Sequence, residues 1–94
     1  MKLYSIHCGY YDRDIAGGIY ESHCNLFLAA KDFADAKAKA KANPLFMAKK
    51  MHVDGMQELT TIDGYDICLV ESKVDALVTG MNYADSKALN APSA

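Results

Sequence analysis

The chain has 94 residues, 51% hydrophobic and 23% charged, with a formal net charge of -2. That is enough for one small domain which buries only about 60–70% of the surface its unfolded chain exposes, so association with a second copy would help it. The balance excludes a disordered chain and gives no excess of Lys and Arg for nucleic acid or an anionic membrane surface.

The first expected element is a strand over Lys2–Cys8, with Leu3, Ser5 and His7 on one face and Tyr4, Ile6 and Cys8 on the other. Gly9 is read as opening a loop through Tyr10, Tyr11, Asp12, Arg13 and Asp14 to Gly17-Gly18, an exposed aromatic surface loop. A second strand is expected over Ile19–Ala30, setting Cys24, Leu26 and Leu28 against Asn25, Phe27 and Ala29. The spacing then predicts a helix over Asp32–Asn43, capped by Asp32 and stopped by Pro44. Its apolar stripe of Phe33, Ala36 and Ala40 would lie on the sheet, leaving Lys37, Lys39 and Lys41 in solvent near the negative end of the dipole. A third strand is expected over Lys50–Thr60, with Gly55 marking a bulge or close approach. Asp63-Gly64 signals a hairpin into a fourth strand over Tyr65–Glu71. Lys73–Thr79 has the spacing of a short helix ending at Gly80, and Asn90–Ala94 reads as a frayed tail.

The expected fold is therefore α+β: an antiparallel sheet in ββαββ order with one main helix on one face. A core domain at 1–72 is followed by a C-terminal extension, a short helix plus tail, at 73–94. No apolar run reaches the ~18–20 residues of a membrane span and the start reads straight into a strand, so a cytoplasmic protein is expected. Cys8, Cys24 and Cys68 are odd in number, lack paired metal spacing and sit in strand-like runs; they are read as free thiols packed in the core. Met47, Met51 and Met56 are likewise read as core filler.

One polar constellation stands out. In a strand, residues i and i+2 share a face, so Glu21 pairs with His23 and His52 with Asp54. If those two strands lie close together, two imidazoles and two carboxylates meet. Three readings stand side by side. The set can be a hydrogen-bonded network that fixes register, a ligand-binding cleft, or a divalent transition-metal or catalytic site, since neutral imidazole and carboxylate both ligate such ions. Tyr65, just past the hairpin turn, joins the four as a ligand-binding candidate. No cofactor is firmly implied; a divalent metal is the one these residues could hold. Gly17-Gly18 lacks the spacing of a phosphate loop, and Ser5, Ser22 and Ser72 occupy no nucleophile elbow.

Several of these residues also carry a resemblance. Met1-Lys2-Leu3-Tyr4, Glu21-x-His23 leading into Phe27-Leu28-Ala29, His52-Val53-Asp54 and Asp63-Gly64-Tyr65-Asp66-Ile67, in that order, resemble the bacterial domain of unknown function 1543 family. The chain departs from that family's pattern in having Tyr10 after Gly9 instead of a second glycine, and Met56 where an aromatic often stands. The resemblance implies no activity. Longer members look like two tandem copies, which implies a two-fold dimer for a single-copy chain. The leading functional expectation is a non-catalytic homodimeric module that binds a small molecule or protein. The alternative is a metal-dependent enzyme using Glu21, His23, His52 and Asp54.

Overall fold

The computed structural model describes residues 1–74 and 80–89. Three strands form the sheet: β1 (Lys2–Tyr11), β2 (Glu21–Ala30) and β3 (His52–Leu59). They are antiparallel in the order β2-β1-β3, so the N-terminal strand is central. Its register with β2 is unbroken from Lys2↔Ala30 to Tyr11↔Glu21.

Period-two alternation sorts the side chains as expected. Tyr4, Ile6 and Cys8 are buried on one face, with Leu26, Leu28, Val53 and Met56 packed beside them. Helix α1 (Phe33–Ala42) covers that face with buried Ala36 and Ala40, whose small side chains let it approach the strands closely. Asp32 caps it by accepting from the Asp35 backbone N–H at 2.8 Å. Phe33 stays half exposed but sets its ring edge-on to Tyr4, with centroids 5.0 Å apart. The opposite face carries Ser5, His7 and Gly9 of β1 with their partners on β2 and β3, and an antiparallel sheet can leave such a face to solvent.

The structure corrects the sequence reading at several points. Gly9, Tyr10 and Tyr11 continue β1 instead of opening a loop, because residues on both neighbouring strands pair across Gly9. Pro44 ends α1 but also begins α2 (Pro44–Ala48), for which Asn43 accepts from the Leu45 and Phe46 backbone N–H groups. That turn buries Phe46 and brings Met51 into the core, while Met47 faces solvent. Cys8 is buried and Cys24 partly so, but Cys68 is exposed because the segment after residue 66 joins no ladder; none of the three is in a disulfide among the described residues.

The fourth strand is far shorter than expected. Asp63 and Gly64 both take positive φ (50° and 82°), the geometry of a tight two-residue turn, and it closes β4 (Thr61–Ile62) on β5 (Tyr65–Asp66). One further bond, Ile67 N–H to the Thr60 carbonyl at 2.8 Å, ends that separate ladder. In the extension, α3 spans Tyr83–Ala88 with Asn82 as its cap. Of the helix expected over Lys73–Thr79, residues 75–79 lie outside the described residues, as does the tail at 90–94. No helix among the described residues is long and apolar enough to cross a membrane.

Candidate functional site

The sequence reading rested on the strands bearing Glu21-x-His23 and His52-x-Asp54 lying side by side. The structure corrects this: β1 runs between them. Yet all four side chains stand on the open face and meet above β1, because Gly9 pairs with His23 on one side and with His52 on the other. Strands two places apart are separated by about 9.6 Å, and a bare backbone midway lets the side chains reach across.

A bulge supplies the fourth member. The β1–β3 register passes from His7↔Gly55 to Cys8↔Val53, so Asp54 is the extra, unpaired residue. Bulges commonly re-aim a side chain in this way, and here the Asp54 carboxylate joins the His52 imidazole. Gly55, flagged in the sequence as a bulge signal, stands at the irregularity.

The four groups form a closed ring. His52 Nε2 lies 2.9 Å from Glu21 Oε1 and 3.1 Å from Asp54 Oδ1. His23 Nε2 lies 3.1 Å from the same Glu21 oxygen and 3.3 Å from Asp54 Oδ2. An imidazole Nε2 carries at most one proton, so neither histidine can donate to both of its carboxylate oxygens at once. A cation held among these donor atoms would satisfy all of them. Bonds of about 2.0–2.2 Å to Zn²⁺ subtend ligand–ligand edges of about 2.8–3.6 Å between right-angled and tetrahedral geometry, and each of the four contacts, 2.9–3.3 Å, has the length of such an edge, with Asp54 turning one oxygen to each histidine.

Gly9 forms the floor of this ring. A Cβ there would lie 2.6 Å from both Asp54 Oδ2 and His52 Nε2 and would collide with Glu21 Oε1. Any other residue would fill the space that the ring encloses.

Two participants escaped the sequence reading. His7, also on the open face, stacks on His23 with ring centroids 5.0 Å apart and 7° between planes. Its Nδ1 donates to Asn25 Oδ1 at 2.8 Å. One ligating atom each from His7, His23 and Asp54 lie within 4.8 Å of one another, and so do those of Glu21, His52 and Asp54. All three histidines of the chain thus gather on one face. The available signal was parity: His7 and Gly9 share a face, but only the register shows that this face is also the one bearing Glu21, His23, His52 and Asp54. Tyr65 lies apart, exposed on the separate β4–β5 ladder.

A second polar group marks the end of β1. Lys49 Nζ donates to Asp12 Oδ2 at 3.1 Å and stands 5.9 Å from the Tyr10 ring centroid. The Asp14 backbone N–H and then Lys49 hold the Asp12 carboxyl below its usual range, and Asp12 in turn raises Lys49. On the core face, burial pushes the Cys8 thiol up, which makes it a poor nucleophile.

Comparison with curated proteins and with solved structures finds no match. A family model described as Domain of Unknown Function (DUF1543) matches residues 19–69, a segment that holds Glu21, His23, His52 and Asp54 and leaves out His7 and Gly9. With 51 of the 94 residues matched, more than half, the chain belongs to the family of domains of unknown function 1543.

Proposed function

We propose that this domain binds one divalent transition-metal ion through Glu21, His23, His52 and Asp54. The observation that carries the reading is the closed ring of donor atoms over Gly9, where an added Cβ would press on Glu21, Asp54 and His52. A network that merely locks register is the competing reading. The ring side chains retain 32–47% of their exposure, and each ion pair so wet is worth about 0–1 kcal/mol, so the four contacts together bring about 0–4 kcal/mol. An occupant would in addition use the space that the missing side chain of Gly9 leaves above β1. Mixed imidazole and carboxylate donors suit Zn²⁺, Mn²⁺, Fe²⁺ or Ni²⁺ better than Ca²⁺ or Mg²⁺, which prefer all-oxygen sites.

The test is metal uptake by chain purified without chelator. About one equivalent of metal should bind, raise the thermal midpoint, and be lost in His23→Ala and His52→Ala. Wild-type protein whose midpoint ignores Zn²⁺, Mn²⁺ and Ni²⁺, with alanine variants that only lose stability, would return the ring to a structural role.

A homodimer is proposed beside it on a separate observation. The outer edge of β2 runs ten residues with no proline and no lysine, and Phe27 at its middle is 65% exposed. Such edges invite pairing with another strand. Antiparallel β2–β2 pairing across a two-fold axis would join two sheets into one. Sedimentation at monomer mass across a wide concentration range would remove this proposal.

A further inference from the structure

Beside the metal ring, on the same open face, lies a groove of about 390 Å³ lined by Ser5, His7, Asn25, Gly55, Met56 and Gln57. We infer that this groove holds a neutral, amide-like small molecule and presents its carbonyl or hydroxyl oxygen to the metal; the inference rests on the metal reading above. His7 joins the two places, since it walls the groove and also lies in the cluster with His23 and Asp54. Gly55 adjoins Asp54 in sequence and pairs with His7 in the sheet.

Size and chemistry define the class. Small-molecule sites commonly enclose about 300–1,000 Å³ and carry a few convergent polar groups. Here those groups are the Ser5 hydroxyl and the amides of Asn25 and Gln57. Among the described residues, no side-chain hydrogen bond engages Ser5 or Gln57. Asn25 uses only its oxygen, on His7, which leaves its NH₂ donors for a ligand. No Asp, Glu, Lys or Arg lines the groove. A dication held by the Glu21 and Asp54 carboxylates is formally neutral, so the centre exerts no net pull on an anion. The cations Arg13, Lys49 and Lys50 line a different pocket, with Tyr11 and Asp12. Hydrogen-bonding capacity without charge selects a neutral polar partner.

Gly55 offers a clean way to close the groove. A Cβ there meets nothing within 4 Å, so Gly55→Val has room to fold and projects into the groove. The experiment loads wild type, Gly55→Val and Gln57→Ala with Co²⁺. It then follows visible absorption while titrating acetamide (uncharged, with a carbonyl oxygen and an amide NH₂), acetate and inorganic phosphate. The amide should half-saturate wild type at a concentration at least tenfold below either anion. Both substitutions should raise that concentration at least tenfold, and Gln57→Ala should leave Co²⁺ affinity within twofold. Anions that bind as tightly, or amide binding that ignores both substitutions, would overturn the groove and leave the metal site standing. Protein that takes up no Co²⁺ overturns both.

Discussion

Replacing Gly9 by alanine should separate metal binding from folding. The added Cβ would lie 2.6 Å from Asp54 Oδ2 and from His52 Nε2, whereas ordinary contact begins at 3.4 Å, so each must retreat by about 0.8 Å. Metal ligation tolerates errors of only about 0.2 Å. Disturbing groups that merely orient ligands already costs 10–100-fold in affinity, and here the ligand atoms themselves are displaced, so a loss of at least ~100-fold is expected. That is about 2.8 kcal/mol at ~1.4 kcal/mol per tenfold. Stability of the metal-free chain should change much less. The displaced atoms are the ends of half-exposed side chains with room to swing outward, and alanine recovers roughly 0.5–1 kcal/mol of backbone entropy in a strand. Competition of the protein with a chromophoric chelator for Zn²⁺ gives the affinity, and urea unfolding in EDTA gives the stability. A Gly9→Ala variant that binds within twofold of wild type would refute the seating of the ion above Gly9. One that unfolds without metal would show that the glycine serves the strand instead.

Other expectations concern the scaffold. Asp12 binds its proton more weakly folded than unfolded, so the stability it contributes is present above the ordinary aspartate range and lost as pH falls through its lowered value. Lys49 is raised, so its share is present below the ordinary lysine range and lost as pH climbs through the raised value. Asp12→Asn should therefore flatten both the acid and the alkaline limbs of a stability–pH profile, and limbs unchanged from wild type would contradict the pairing. Asp32→Ala removes the acceptor that caps α1 and should cost about 1 kcal/mol in urea unfolding; no measurable loss would mean that the first turn is held by its packing alone.

Much of the fold was legible in local chemistry. Alternation put Tyr4, Ile6 and Cys8 on one face of their strand and Cys24, Leu26 and Leu28 on one face of theirs, and those are the faces turned to the core. Asp32, the small-residue stripe and Pro44 located α1 because caps and breakers act within a turn or two. Asp63-Gly64 announced its hairpin for the same reason. The misreadings arose where a local signal met a nonlocal demand. Gly9 looked like a loop opener because glycine usually marks a break, whereas here it is needed inside the strand by side chains from two other strands. Tyr65–Glu71 had the composition of a strand, but the tight turn paired only its first residues, and among the described residues no further strand lies beside the remainder.

For the site, sequence by itself determined which side chains share a face within each strand, since that follows from the two-residue repeat of an extended backbone. It supplied Glu21 with His23, and His52 with Asp54, as separate pairs. Only the tertiary structure decided that the N-terminal strand threads between them, that the bulge at Asp54 turns its carboxylate inward, and that His7 completes the group. Strand order and register are settled by burial of the opposite face against α1, an energy summed over the whole sheet. Four residues cannot encode it, so the convergence was invisible until the sheet was assembled.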